Sequence, residues 1–142
     1  MQSIIYKGPG KFAIEDRPKP IIKKADDVMI KVLGACICGT DINIFATPQK
    51  HPSRPGIIFG HEFCGQVVEV GEAVTSLKPG DKVIVDPHGP CGYCDACRAG
   101  LPEMCKNLYL DEPGLEGQAN AMGVFKDGGL TSYTLVPEKF AY

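Results

Sequence analysis

The sequence has no excess of charge of one sign, no long hydrophobic run and no secretory leader. Fifteen Lys and Arg against seventeen Asp and Glu give a formal net charge of −2, and the basic residues form no stripe along the chain. The sequence therefore offers no electrostatic basis for binding nucleic acid or an anionic membrane. No run reaches the ~18 apolar residues that span a bilayer, and the first residues lack a charged segment followed by an apolar one. We therefore predict a cytoplasmic protein.

Turn-forming residues are abundant, with seventeen Gly and twelve Pro among 142 residues. Such a composition interrupts helices and favours short strands joined by turns. The alternation from Val28 to Leu33 predicts a strand with one buried face. The sequence predicts a short helix at 41–46, capped by Gly39 or Thr40, and five or six strands within 4–6, 12–14, 28–33, 63–70, 83–85 and 130–136. We expect one mainly β domain over residues 1–142, a partly open β-barrel with short helices.

Four of the seven cysteines lie close together in a region without hydrophobic periodicity, at Cys91, Cys94, Cys97 and Cys105. An odd number of cysteines and the lack of a leader argue against a secreted disulfide scaffold. Four thiolates at this spacing match a closed tetrahedral zinc site, which is structural because it has no open position. We predict a zinc-stapled lobe over about residues 88–110. Free thiols or disulfides between near neighbours are the alternatives.

A second group of residues with metal-binding chemistry is split between two segments. Cys38 begins the run Cys-Gly-Thr-Asp, and His61 lies between Gly60 and Glu62. Spacing alone is a weak signal, because a lone histidine is more often packed or solvated than a ligand. Thr40 and Asp41 also suit the N-terminus of a helix, and Glu62 suits an exposed surface. Two further cysteines, Cys36 and Cys64, are interpreted as small buried hydrophobic residues.

The order of these motifs along the chain is more specific than any one of them. Gly60-His61-Glu62 continues through Gly65, Gly71 and Val74 into Leu-Lys-Pro-Gly-Asp-Lys-Val at 77–83, with the four cysteines downstream. In this respect the whole chain resembles the amino-terminal, GroES-like catalytic domain of the zinc-dependent medium-chain alcohol dehydrogenases. The similarity is closest to the polyol (sorbitol) and threonine dehydrogenase branches.

This resemblance implies a role for each candidate residue. Cys38 and His61 would bind a catalytic zinc, and Glu62 would be a nearby carboxylate able to exchange with water or substrate. Asp41 would accept a hydrogen bond from the His61 ring, and Thr40 would pass the proton of the substrate hydroxyl outward. The structural zinc would be held by Cys91, Cys94, Cys97 and Cys105. The reaction implied is hydride transfer from an alcohol, polyol or hydroxy amino acid to NAD or NADP, in a full-length protein that is a homo-oligomer.

One residue departs from the family pattern. Asn43 occupies a position where many relatives carry a histidine that hands the proton to solvent. Because asparagine does not titrate, we expect the proton to leave through water or another group.

The chain contains no Gly-x-Gly-x-x-Gly at a strand-to-helix turn, so it encodes no dinucleotide-binding fold. We expect the cofactor domain and a third catalytic zinc ligand to follow residue 142, and the chain to be inactive alone. Two other functions stay open. One is a free-standing zinc-stapled GroES-like binding or assembly module, and the other is a redox-sensing thiol protein using Cys94 and Cys97.

Overall fold

The computed structural model describes residues 1–111 and 113–142, and most of the regular structure is strand. The strands are β1 (Gln2–Gly8), β2 (Lys11–Asp16), β3 (Asp27–Cys36), β4 (Glu62–Val70), β5 (Lys82–Val85) and β6 (Tyr133–Pro137). The helices are α1 (Gly39–Phe45), α2 (Asp95–Arg98) and three single 3-10 turns at Pro102–Met104, Lys106–Leu108 and Glu138–Phe140. In the part of the chain that is described, no helix has the length and apolar character needed to cross a membrane.

The strands form two antiparallel sheets, β1-β2 and β5-β4-β3-β6. Single bridges between Ser3 and Thr131 and between Ile5 and Ile58 tie the smaller sheet to the rest. After β6 the chain returns to the outer edge of β5, where Ile84 and Tyr142 exchange backbone hydrogen bonds of 2.9 and 3.0 Å. This pairing brings the two ends of the larger sheet together and covers an edge that would otherwise be unpaired. The mainly β, partly open barrel predicted from the sequence is confirmed.

The prediction of one buried face for the third strand is wrong for its first half. Val28, Met29 and Ile30 are all at most 1% exposed. Successive side chains of a strand point to opposite faces of the sheet, so both faces of β3 are covered along this stretch. Its second half runs past the core, and the interpretation of Cys36 and Cys64 as buried is also wrong, since both are exposed.

An aromatic and aliphatic cluster fixes the position of α1 against the sheets. Tyr6, Ile44 and Phe59 belong to one buried cluster, and the Tyr6 and Phe59 rings stack with centroids 5.7 Å apart. Phe12 of β2 stacks on Phe45 at the end of α1, with centroids 5.0 Å apart. Apolar burial and ring stacking therefore hold the C-terminal end of this short helix, which is too short to be stable alone.

Glycines allow three backbone segments to meet beside His61. A Cβ atom at Gly123 or at Gly128 would lie 2.1 Å from the carbonyl oxygen of Gly60. Gly123 also has φ +73°, in the left-handed region that L-residues with side chains rarely adopt. The segment that carries His61 is thus packed directly against the backbone at 123–128.

We expect Gly123→Ala to destabilise the protein far more than Gly117→Ala. Gly117 has nearly the same φ, +75°, but open space where its Cβ would lie, so it isolates the conformational penalty of about 1–2 kcal/mol. The backbone clash at Gly123 adds about 1–3 kcal/mol to that penalty. Urea unfolding of both variants measures the difference, and equal losses would show that the close approach to Gly60 imposes no constraint.

Candidate active site and metal centre

The four clustered cysteines converge on one point in a lobe outside the barrel. Cys94 precedes α2 and Cys97 lies within it, while Cys105 lies between two 3-10 turns. Their Sγ atoms and that of Cys91 all lie within 4.8 Å of one another. The predicted lobe thus brings together all four of the residues that the sequence singled out.

The spacing of the sulfur atoms fits a shared zinc ion and does not fit disulfides. Four sulfurs about 2.3 Å from a central ion sit about 3.8 Å apart at the corners of a tetrahedron. The Sγ atoms of Cys94 and Cys97 are 3.5 Å apart, and those of Cys91 and Cys97 are 3.9 Å apart. A disulfide needs about 2.05 Å, and all seven cysteines are free.

Backbone N–H groups point at the sulfurs, as expected for a cluster that carries negative charge. The N–H of Cys91 donates to Cys105 Sγ at 3.3 Å, and the N–H of Cys94 donates to Cys91 Sγ at 3.4 Å. Burial disfavours ionisation of Cys91, but the N–H groups of Tyr93 and Cys94 outweigh it and lower the pKa of this thiol. Burial raises the pKa of Cys97, and the neighbouring thiols add to the rise. Without a cation these thiols cannot all ionise together.

The second candidate site forms where β3 ends and β4 begins. Antiparallel pairing places Cys36 opposite Glu62, so the residues just beyond these positions meet. Donor atoms of Cys38, His61 and Glu62 all lie within 4.8 Å of one another. His61 is buried, Cys38 is half-buried and Glu62 is exposed, so the cluster opens on the side of the carboxylate.

Asp41 connects two members of this cluster. It is 3% exposed in the first turn of α1, and its Oδ2 accepts a hydrogen bond of 2.8 Å from the Cys38 N–H. The helix begins after Cys38, so the predicted cap at Gly39 or Thr40 is wrong. Asp41 instead reaches back to the residue before the helix, as the third residue of a capping box does.

The other oxygen of Asp41 faces the His61 ring. Oδ1 lies 3.1 Å from Nδ1, although the angle falls short of a well-aligned hydrogen bond. Asp41 raises the pKa of His61 to about 9, against the opposing effect of burial, and Cys38 contributes to the rise. With Nδ1 directed at a carboxylate, Nε2 is the atom left for a metal ion.

An apolar cavity of about 230 Å³ lies beside Asp41. Sequence reasoning missed its lining, because the residues come from separate segments and carry no local signal: Ile4, Phe12, Ile37, Ile42, Phe45, Phe59 and Leu130. The remaining sequence-predicted residue, Thr40, is half-buried on α1 immediately before Asp41. Asn43 is exposed on the same helix, and its carbonyl accepts a 3.0 Å hydrogen bond from the Lys50 N–H.

Comparison with known proteins finds dehydrogenases. The starvation-sensing protein RspB of Escherichia coli is 37% identical over all of this chain. An L-threonine 3-dehydrogenase of Caldanaerobacter subterraneus is 43% identical over 80% of the chain. The chain spans 38% and 30% of the lengths of these two relatives.

Solved structures agree on the fold. Galactitol-1-phosphate dehydrogenase from Escherichia coli aligns with the whole chain at a TM-score of 0.84 and 28% identity, over 37% of its own length. A putative zinc-binding dehydrogenase from Sinorhizobium meliloti, bound to NADP, aligns with 99% of the chain at a TM-score of 0.78 and 35% identity, also over 37% of its own length. The family described as the alcohol dehydrogenase GroES-like domain matches residues 24–142. The chain therefore belongs to the alcohol dehydrogenase GroES-like domain family.

Proposed function

We propose that this chain is the catalytic domain of a zinc-dependent dehydrogenase that transfers hydride from a small alcohol, polyol or hydroxy amino acid to NAD or NADP. The observation that carries the proposal is the convergence of Cys38, His61 and Glu62, with Asp41 behind the histidine. The relatives support it, since one is a threonine dehydrogenase and one solved structure is bound to NADP. A nicotinamide-binding part would belong to the complete protein.

The donor sets suit two different zinc ions. Four sulfurs fill a tetrahedral shell, so Cys91, Cys94, Cys97 and Cys105 would hold a structural ion. Cys38 and His61, with Glu62 on the open side, leave room for a reactant and would hold a catalytic ion. Zinc at that position supplies a Lewis acid that favours ionisation of a bound alcohol hydroxyl.

The chain's own residues would orient the reactants and move the proton. Asp41 would orient the His61 ring through Oδ1, and its Oδ2 accepts the hydrogen bond from the Cys38 N–H, so one carboxylate contacts both donor-bearing residues. Thr40 lies next in the chain to Asp41, and its hydroxyl would accept the proton of the substrate alcohol and pass it outward. The apolar cavity beside Asp41 would exclude water from the carbon that loses hydride.

The proposal is tested on the complete protein, purified under reducing conditions. We expect two zinc ions per chain, one for each cluster, and oxidation of an alcohol with NAD⁺ or NADP⁺ in a panel that includes L-threonine, sorbitol and xylitol. A chelator should remove the ion at Cys38 and His61 first, together with the activity, because that shell is incomplete.

Other metal contents point to other functions. One zinc ion and no turnover of any alcohol would contradict the dehydrogenase and favour a zinc-stapled binding or assembly module. Complete absence of zinc from freshly purified protein would leave the redox-active thiol pair, Cys94 and Cys97, as the better interpretation.

A further inference from the structure

A cavity of about 530 Å³ lies beside strand β6. It is bounded by the loop after β2, the turn at 122–127 and strand β6, and we call it the basic pocket. Its volume falls in the range of sites for small molecules, roughly 300–1,000 Å³. None of the residues that line it belongs to the two metal-binding clusters.

The basic pocket concentrates positive charge from distant parts of the sequence. Four of its lining residues are cations: Arg17, Lys23, Lys24 and Lys126. Two further lysines lie over aromatic rings of the lining. Lys19 Nζ is 4.4 Å from the centroid of the Tyr133 ring, and Lys139 Nζ is 5.7 Å from that of Phe140. Six of the chain's fifteen Lys and Arg therefore surround one cavity of a protein whose net charge is negative.

The two carboxylates in the lining accept hydrogen bonds from backbone N–H groups. Asp27 Oδ2 accepts hydrogen bonds of 3.0 and 2.9 Å from the N–H groups of Lys23 and Lys24. Asp127 Oδ1 accepts one of 2.8 Å from the Ile58 N–H. These bonds fix the loops that carry the lysines, and the four cations of the lining still exceed the two carboxylates by two charges.

Three of the four lining cations have no partner of opposite charge among the described residues. Within residues 1–111 and 113–142, the side chains of Lys23, Lys24 and Lys126 form no ion pair. Burial lowers the pKa of Lys126, and the charges of Lys24 and Lys139 lower it further. Arg17 pairs with Glu15 through Nη2 at 3.0 Å, but its buried Nε has no hydrogen-bond acceptor among the described residues. Such donors and uncompensated charges are stabilised by a bound oxyanion.

We propose that the basic pocket binds a phosphorylated small molecule of about nucleotide size. Lysine ammonium groups bind phosphate as point charges, and arginine adds a planar donor. Most of the remaining lining is apolar and includes the side-chain rings of Pro18, Pro20, Tyr133 and Phe140, which give the organic part of the ligand a surface to pack against. A small inorganic anion would use the charge and leave that surface exposed to water.

The test measures binding of ADP, inorganic pyrophosphate and adenosine to the complete protein by titration calorimetry. Acetylation of lysines, read by mass spectrometry with and without each probe, locates the binding. We expect ADP to bind more tightly than pyrophosphate, adenosine to bind weakly, and ADP to protect Lys24 and Lys126 from acetylation. The result does not depend on zinc content or turnover, so it stands or fails separately from the dehydrogenase proposal.

A pair of double variants separates specific binding from net charge. The double variant Lys24→Gln, Lys126→Gln should weaken the binding of ADP in the basic pocket by at least about tenfold. Lys50→Gln with Lys82→Gln removes the same charge from exposed positions outside the pocket and should change that binding by less than about twofold. Alcohol oxidation should be unchanged in both.

Several results would overturn the proposal. Equal weakening in both double variants would mean long-range attraction only, and unprotected Lys24 and Lys126 would mean that ADP binds elsewhere. If pyrophosphate bound as tightly as ADP, the organic part of the ligand would contribute nothing to binding, and the pocket would be a site for inorganic anions. Tighter binding of a single-stranded oligonucleotide than of ADP would assign the surface to nucleic acid.

Discussion

Replacing Cys105 with serine is expected to release the zinc ion of the four-cysteine lobe and to unfold that lobe. Cys105 is fully buried, and its Sγ also accepts the hydrogen bond from the Cys91 N–H. The lobe has only one four-residue helix and two single 3-10 turns, so little besides the metal holds it. We expect a loss of more than about 4 kcal/mol in the free energy of unfolding of the lobe. Native mass spectrometry should count one zinc ion fewer, and amide hydrogen exchange over 91–108 should accelerate.

Cys64→Ser is the matched control for this experiment. Cys64 is a free, exposed cysteine outside both clusters, so the same substitution there should leave the zinc content and the exchange rates unchanged. A Cys105→Ser protein that keeps its full zinc content, with slow exchange in the lobe, would contradict the assignment of these cysteines to a structural metal.

The second large effect is expected from His61→Ala. Removing one donor of an incomplete shell should empty the proposed catalytic site, and turnover should fall by about three orders of magnitude, because Lewis-acid stabilisation contributes several kcal/mol. The zinc of the cysteine lobe should stay bound, since that lobe shares no ligand with this site. The control is His51→Ala, which removes a half-buried histidine whose Nδ1 lies 2.8 Å from the Pro52 carbonyl oxygen, outside the cluster. Similar turnover in both variants would be inconsistent with His61 as a ligand.

Asp41→Asn should weaken zinc binding at the proposed catalytic site less than His61→Ala does, and the weakening should depend on pH. Because Asp41 raises the pKa of His61 to about 9, protons compete with zinc for this ring at lower pH. The part of the pH dependence of zinc affinity that comes from His61 should therefore extend up to about 9 in the wild type, whereas in Asp41→Asn it should end at a lower pH. At higher pH the variant should bind zinc about 10–100-fold more weakly, because the ring is no longer oriented.

The same pKa shift has a consequence for the metal-free protein. A histidine whose pKa is raised on folding stabilises the fold fully below its unfolded pKa of about 6.5, and the contribution disappears as the pH rises through about 9. Metal-free wild type should thus lose stability over that range, and metal-free Asp41→Asn should lose much less. Identical pH profiles for the two proteins would show that the 3.1 Å approach of Asp41 to His61 has no electrostatic effect.

Sequence reasoning succeeded where the relevant interactions are local or follow a simple pattern. The strands at Phe63–Val70 and Val83–Val85 were predicted within one residue of β4 and β5, because β-branched residues and bounding turns mark them. It failed for β3, where both faces are covered and Met29 is buried as well as Val28, and for Cys36 and Cys64, which lie where the sheet extends beyond the core. Burial depends on what packs against a strand, and the strand's own pattern does not contain that information.

By itself the sequence determined the chemistry of the two donor sets and the existence of the cysteine lobe. Four cysteines within fifteen residues match the spacing of a tetrahedral zinc site, and turn residues between them allow the chain to curl. Only the tertiary structure decided that Cys38 and His61 meet, because their contact depends on the pairing of β3 with β4. It also decided that Lys24, Lys126 and Lys139 gather around one cavity, although the chain as a whole is acidic. Net charge is a sum over the sequence, whereas the local potential depends on which distant residues the fold places side by side.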